Sequence, residues 1–574
     1  MDSFLRSNTQ AWIDGDPDPE TTAELTALLA SEAWDELAER MNGTLRFGTG
    51  GLRGAVEGGS NRMNRAVIIK ATKAIADLLL ERHGGPPFKP VALGFDARLS
   101  SKQFAADTIG VLTAAGISVQ YFPTCESTPV VAFAALRLES PMAIVVTASH
   151  NPPQDNGYKV FDSNGAQIVP PVDTEVADLI AGAAPAISIP RDEIELSVGN
   201  ELAHAIGPEL FEEYLAAVAS AVPNVEVDVA STIVYTPMHG VGGAATVEAL
   251  RRSGHYNVIP VPEQFEPDGK FPTVEFPNPE EPGALDLAMA LGIKNDADLI
   301  LANDPDTDRL AVVVRLEGGW RKLTGNEIGA LLGDYVLRHW DNSERAIVSN
   351  SVVSSPQLAD IAAGYGAHFE QTLTGFKWIA NAAMDLEAQG VGLFAFGFEE
   401  AIGYSVGSTV RDKDGISAAV AFADLAGECR LQGVSVLDRL DEISRRHGLW
   451  VSVQRSLTRP GSGGAAEIAK AMSLLQAEPP KEVGVARVAR VADYSVGSED
   501  RPRWLPATSL VVLHLDGGGR VLVRPSGTEP KIKFYVDLRT VLPDGADARQ
   551  IESEATAEAS AIAGAMVTYL GLAT

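Results

Sequence analysis

The sequence predicts an α/β protein of several domains, the last of which is α+β. Short β-branched runs alternate with segments of helical period through most of the 574 residues, the pattern of helices packed on largely parallel sheets. Beyond His447 the order changes to a helix around Ala465 to Leu475, three strands and a terminal helix, which reads as an antiparallel sheet with helices. At roughly 150 residues per domain the length corresponds to about four domains.

The first clear helix runs from Ala66 to His83, where Val67, Ile68, Ala71, Ile75, Leu78 and Leu79 recur at helical spacing, Asn64 stands as N-cap and Gly84 closes. PVALGF (Pro90 to Phe95) and MAIVVTA (Met142 to Ala148) follow as buried strands. TIVYT from Thr232, DLILAND from Asp298 and FAFGF from Phe394 are three more, and each runs directly into a polar loop. Ligands in open parallel sheets sit beyond the carboxyl ends of strands, so these loops are expected to converge on one cleft between domains. SLVVLHLD, GRVLVRP and IKFYVDLRT supply the last sheet, and Ala559 to Thr574 reads as a docked terminal helix, too short for the roughly 20 residues of a membrane span. Breaks near Ala181 to Asn200, Glu317 to Trp320 and His447 divide the chain into 1–205, 206–318, 319–447 and 448–574.

With 46 Lys and Arg against 76 Asp and Glu, the net charge is -30, which disfavours nucleic acid and anionic membranes as partners. Screening over about 8 Å still leaves room for a cationic pocket that takes phosphate. The two cysteines, Cys125 and Cys429, make no disulfide framework and read as core thiols in a reducing compartment. The acidic N-terminal stretch has no apolar run of signal-peptide length, so a cytoplasmic location is expected.

Chemistry concentrates in a few loops. TASHNPPQDNGYKVF places Ser149 beside His150 after a buried strand, which makes Ser149 a candidate nucleophile, although a turn hydroxyl is the commoner meaning of such a pair. In NDPDTDRL, Asp304, Asp306 and Asp308 alternate so that three carboxylates can face one point, an arrangement that suits a hard divalent cation such as Mg²⁺. A calcium EF-hand counted from Asp304 fails, because Arg309 and Arg315 stand where Gly and Glu are required. RPSGTEPKIKFY offers the Arg524 guanidinium, the Ser526 and Thr528 hydroxyls and close backbone approach at Gly527, a set suited to phosphate. GFEEAIGY puts Glu399 and Glu400 after a strand, fit to accept hydrogen bonds from sugar hydroxyls, and LTGFKW adds Lys377. Arg53 is expected on a flexible loop in FGTGGLRG, whose glycines do not follow the dinucleotide spacing GxGxxG.

Taken together these segments resemble the phosphoglucomutase/phosphomannomutase (α-D-phosphohexomutase) superfamily: TASHNP with NGYK its phosphoserine loop, DPDTDR its metal loop, GFEEAIGY its sugar loop and RPSGTEPK its phosphate loop, in family order. The resemblance implies four domains around a central cleft, three related α/β domains with mixed sheets and a smaller C-terminal α+β domain. It implies a phosphorylated Ser149, Mg²⁺ held by Asp304, Asp306, Asp308 and Ser149, Arg309 near the phosphoryl group, Lys159 for proton transfer, and Arg53 and His150 in support. Lys377, Glu399 and Glu400 would hold the sugar, and Arg524, Ser526, Gly527 and Thr528 the phosphate not being transferred. The implied activity is a phosphosugar mutase moving phosphate between the 1- and 6-positions of glucose or mannose through a sugar 1,6-bisphosphate, in a monomer or weak homo-oligomer. Ala401 stands where many hexomutases carry Ser, and FEEAIGY is closer to the phosphoglucomutase/phosphopentomutase branch, so ribose and deoxyribose 1-phosphates are alternatives. A Mg-dependent sugar phosphatase and a non-catalytic sugar-phosphate sensor are the rivals from other classes.

Overall fold

A computed structural model describes residues 2–48, 50–86, 88–459, 461–497, 500–526 and 530–573. The protein is mixed α/β and divides into two compact units, Met1–Leu323 with Gly403–Gly427, and Thr324–Ile402 with Glu428–Thr574.

The first unit opens with three helices, Asp2–Gly15, Pro19–Ala30 and Trp34–Met41, that pack on one another through Leu25, Leu29 and Leu37. Its first sheet has six strands in the order Leu52–Ala55, Asp155–Asp162, Met142–Val146, Val91–Phe95, Val119–Tyr121 and Ala203–Ala205. Met142–Val146 and Val91–Phe95 are buried along their whole length, as their unbroken apolar runs require. The helix Arg65–His83 covers this sheet; Asn64 caps it by accepting from the Val67 N–H, and Gly84 ends it in the left-handed region at φ 70°. The second sheet runs Gly319–Lys322, Ala311–Leu316, Leu299–Ala302, Ile233–Thr236 and Val258–Pro260.

These sheets are mixed rather than largely parallel, and the chemistry loops are the reason. Asp155–Asp162 pairs antiparallel with Met142–Val146, and Ala311–Leu316 pairs antiparallel with Leu299–Ala302. The connections through Ser149 and through the three aspartates are too short for the dozen or more residues a parallel crossover needs, so the chain turns back on itself. The turn at Glu317 to Trp320 is the tip of a further hairpin between Ala311–Leu316 and Gly319–Lys322.

In the second unit Ala346–Ser351 lies parallel to both His368–Thr372 and Leu393–Glu399. Its other sheet is antiparallel, with six strands ordered Leu449–Thr458, Lys531–Thr540, Arg520–Pro525, Val511–Leu515, Ala486–Asp493 and Glu482–Val483. The terminal helix Ala548–Tyr569 packs on this sheet through Ala559, Ile562, Ala563 and Met566. Cys429 is buried, whereas Cys125 is only half-buried and so is not a core thiol. Among the described residues no helix is long and apolar enough to cross a membrane.

Candidate active site

The first unit assembles a buried polar cluster at the carboxyl ends of Met142–Val146 and Leu299–Ala302. Ser149 is fully buried and sits in the left-handed region at φ 52°, where its N–H donates to the Thr147 hydroxyl at 2.9 Å. That local bond offsets part of the conformational cost of a non-glycine residue there. The Ser149 hydroxyl donates to Asp304 Oδ2 at 2.7 Å and lies 3.4 Å from His150 Nδ1.

The aspartate loop is tied down from several sides. Asn303 donates to the Arg309 carbonyl at 2.6 Å and accepts from the Tyr235 hydroxyl at 2.8 Å. A Cβ on Gly240 would come within 2.5 Å of the Pro305 backbone, so only glycine lets the 237–243 segment press against this loop. Thr128, the first residue of the helix Thr128–Arg137, gives its otherwise unsatisfied N–H to the Asp306 carbonyl at 3.0 Å and its hydroxyl to Asp306 Oδ2 at 2.6 Å.

Charge is balanced by Lys159, fully buried on Asp155–Asp162, whose ammonium donates to Asp306 Oδ2 at 2.6 Å and to Asp308 Oδ2 at 2.8 Å. Burial alone would depress the Lys159 pKa, but Asp306 and Asp308 outweigh it and raise it. Lys413 adds a second ammonium 3.2 Å from Asp308. Burial, then Asp306 and Asp308, push Asp304 well above the usual carboxylate range. Burial lowers the His150 pKa strongly, reinforced by Arg309 and Arg53, so the ring beside Ser149 is neutral.

Arg53 is not on a loop: it lies in the strand Leu52–Ala55, opposite Gly157 of Asp155–Asp162, and reaches Asn151 Oδ1 at 3.4 Å. Only glycine fits just before this strand: Gly51 stands at φ 91° against the Tyr158 carbonyl, where a Cβ would approach to 2.4 Å. Arg309 places its Nε 3.7 Å from Asp308 and 3.9 Å from Asp304. Ser149, His150, Lys159, Arg53, Arg309, Asp304, Asp306 and Asp308 are therefore together in one unit.

The residues fit a divalent cation. One oxygen from each of Asp304, Asp306 and Asp308 can be chosen so that all lie within 4.8 Å of one another. Asp306 Oδ1 and Asp308 Oδ1 are buried without a hydrogen-bond donor, the kind of uncompensated acceptor a cation satisfies.

Three contributors escaped the reading of motifs: Thr128, Lys413 and Arg98. The buried Arg98 guanidinium donates to the carbonyls of Ser149 at 2.7 Å, Asn151 at 2.6 Å, Pro152 at 2.7 Å and Asp155 at 2.8 Å, and pairs with Asp96 at 3.2 Å. One side chain thus holds the Ser149 loop by its backbone. The adjacency of Asp96 and Arg98 after a buried strand was the available signal, but four carbonyl partners leave no mark in sequence. Arg98→Met is expected to cost about 3–5 kcal/mol in urea unfolding, because Asp96 and the four carbonyls lose a buried partner. Arg98→Lys should recover little of it, since an ammonium lacks the planar fork. A loss under about 1 kcal/mol would refute the clamp.

The second unit gathers the residues assigned to sugar and phosphate. Glu399 ends the strand Leu393–Glu399 and accepts from the Gly375 N–H at 2.7 Å. Glu400 accepts from the Ser351 and Ser354 hydroxyls at 3.3 and 3.1 Å. Lys377 is mostly buried in the first turn of Phe376–Ala388. Arg524 lies on Arg520–Pro525, and the Ser526 N–H donates to the Lys531 carbonyl at 2.7 Å. Burial raises the Tyr535 pKa, with Glu400 and Glu399 adding to it and Arg524 opposing, so Tyr535 stands within electrostatic reach of both loops. Gly527 and Thr528 lie outside the described residues.

Models of known families match the chain in four consecutive pieces. These are phosphoglucomutase/phosphomannomutase alpha/beta/alpha domain I over residues 44–185, domain II over 212–318, domain III over 324–444 and the C-terminal domain over 477–541. A Haemophilus influenzae protein named "Probable phosphomannomutase" is 40% identical across 84% of this chain and 95% of its own length. A human protein named phosphopentomutase is 35% identical across 98% of this chain and 95% of its own. Among solved structures, the open form of pp63/parafusin, a phosphoglucomutase from Paramecium, superposes with a TM-score of 0.68 at 18% identity, covering 92% of this chain and 95% of that one, a likeness of fold. The chain therefore belongs to the phosphoglucomutase/phosphomannomutase family and is a phosphosugar mutase, an isomerase that transfers phosphate intramolecularly.

Proposed function

We propose that Ser149 is the phosphorylated residue, and that the enzyme interconverts an aldose 1-phosphate with the phosphate ester at its terminal carbon, glucose 1-phosphate and glucose 6-phosphate being the first pair to test. The observation that carries this is the Ser149 hydroxyl 2.7 Å from Asp304, in a buried centre where the Lys159 ammonium bridges Asp306 and Asp308. Asp304, Asp306 and Asp308, with an oxygen at Ser149, would hold Mg²⁺, which when bound supplies positive charge opposite the transferred phosphoryl group.

In the first half-reaction the bond between phosphorus and Ser149 Oγ breaks as a sugar hydroxyl oxygen bonds to phosphorus. The product is a sugar bisphosphate and free Ser149. Lys159, held as an ammonium by Asp306 and Asp308, is the proton-transfer candidate: it gives a proton to the departing Ser149 Oγ and takes the one leaving the sugar hydroxyl, and the exchange runs in reverse in the second half-reaction, when the other phosphate passes to Ser149. His150, held neutral, faces Ser149 Oγ through Nδ1, and Arg53 and Arg309 supply cationic charge near the phosphoryl oxygens. Lys377, Glu399 and Glu400 position the sugar, and Arg524, Ser526, Gly527 and Thr528 grip the phosphate that stays, so either end of the bisphosphate can be presented. The phosphoserine must also be kept from water, which would otherwise hydrolyse it. The domains are taken as 1–205, 206–318, 319–447 and 448–574, with the second border moved to 323 so that the hairpin of Ala311–Leu316 and Gly319–Lys322 stays whole, and the protein as a cytoplasmic monomer or weak homo-oligomer that binds neither nucleic acid nor membrane.

A second reading, a phosphopentomutase acting on ribose or deoxyribose 1-phosphate, is favoured by the human relative of that name, which aligns across 98% of the chain. One assay tests the class: the protein, Mg²⁺, glucose 1-phosphate and a trace of glucose 1,6-bisphosphate. Glucose 6-phosphate is the expected product; free phosphate would mean a phosphatase, and no reaction with any sugar phosphate a sensor. Parallel rates with mannose, ribose and deoxyribose 1-phosphates rank the substrates, and a pentose rate well above the glucose rate decides for the second reading.

A further inference from the structure

The loop Leu373–Lys377 is held by a residue far away in sequence. Trp504 lies in the connection between Ala486–Asp493 and Val511–Leu515, and it is only 6% exposed although its described neighbours from Arg501 to Ser509 are partly or fully open. Its indole Nε1 donates to Glu370 Oε1 at 3.0 Å, and its backbone carbonyl accepts from the Leu373 N–H at 3.1 Å. The preceding Arg503 makes a two-pronged pair with Asp385, at 2.6 and 2.7 Å. These three contacts fall on the strand His368–Thr372, on the loop after it and on the helix Phe376–Ala388 that follows.

The loop has few means of holding its own shape. The helix after it begins without a side-chain cap, and Gly375 stands at φ 118°, a region closed to most residues. Its position depends on partners outside it: the Gly375 N–H donates to Glu399 Oε1 at 2.7 Å, and the Leu373 N–H to Trp504. Lys377 follows in the first helical turn, so a shift at Leu373 moves its ammonium relative to Glu399.

We propose that Trp504 is a positioning residue, through which the C-terminal domain presets the Leu373–Lys377 loop for the sugar phosphate. This rests on the reading that Lys377 and Glu399 hold the substrate. Trp504→Ala removes both the indole donor and the buried ring that seats the carbonyl. Its KM for the sugar monophosphate should rise about tenfold, the size of one lost hydrogen bond with its packing, while phosphate incorporated at Ser149 stays at the wild-type level. Glu370→Ala, which leaves the ring in place and removes the acceptor of the indole N–H together with the contact of Oε2 to His368 at 3.2 Å, should raise KM in the same direction by roughly threefold, and it covers the case in which Trp504→Ala does not fold; His368→Ala, which removes the second contact alone, should leave KM unmoved. In the Trp504 and Glu370 variants deuterium uptake at the Leu373 and Gly375 amides should quicken. Lys377→Ala serves as the control. If it leaves KM unchanged, the sugar grip itself is wrong and the proposal falls with it. If it raises KM while the Trp504 and Glu370 variants lose only thermal stability, with KM and amide exchange unmoved, Trp504 is interdomain packing and the proposal is overturned.

Discussion

Ser149→Ala is expected to give a folded protein whose mutase rate falls by roughly a thousandfold or more, at least about 4 kcal/mol of barrier, because the covalent route loses its only acceptor oxygen. The fold should tolerate the change: Asp304 loses the hydroxyl donor at 2.7 Å but keeps the Arg309 N–H at 3.1 Å. Intact mass after incubation with sugar bisphosphate should show one added phosphoryl group in the wild type and none in the variant. Retention of the group by Ser149→Ala would assign the phosphoester elsewhere.

Lys159→Met tests the electrostatics beneath that chemistry. Removing the ammonium leaves Asp306 and Asp308 facing each other in a fully buried site, where the Thr128 hydroxyl, Lys413 and the Arg309 guanidinium at 3.7 Å compensate them only in part. Unfolding free energy should drop by about 3–5 kcal/mol, the usual result of stripping one partner from a buried ion pair, and activity should be lost with it. Added Mg²⁺ should raise the melting temperature of the variant more than that of the wild type, since a cation held by the three carboxylates replaces part of the missing charge. An equal rise in both proteins would mean that the ion binds somewhere other than this cluster.

The loops were legible in the sequence because each strings chemically distinctive side chains after an apolar strand. Ser149 with His150, and the alternation of Asp304, Asp306 and Asp308, are of this kind. The helix Arg65–His83 was legible for a similar reason: its apolar period, Asn64 cap and terminal Gly84 all agree. What stayed hidden depends on pairing between distant segments. Arg53 follows four residues rich in glycine, which suggested a loop, but its strand is imposed by the pairing of Leu52–Ala55 with Asp155–Asp162. The strand Leu449–Thr458 has a mostly exposed side and no clean alternation, and it exists because Lys531–Thr540 pairs with it along ten residues. The three N-terminal helices lie under an acidic composition that masks them, although Trp34, Leu37 and Met41 fall at helical spacing and Asp18 caps the helix that Pro19 begins, and Arg98 works through backbone carbonyls that any residue could supply. Pairing register and backbone acceptors are properties of the folded chain, invisible to a reading that moves residue by residue.

The most direct measurement is a single turnover of enzyme carrying radioactive phosphate on Ser149, mixed with excess sugar monophosphate and quenched within milliseconds. The label is predicted to appear first in the sugar bisphosphate and only then in the isomerised monophosphate, with inorganic phosphate a minor product. Label passing straight to inorganic phosphate at the turnover rate, with no bisphosphate at any time, would contradict the account.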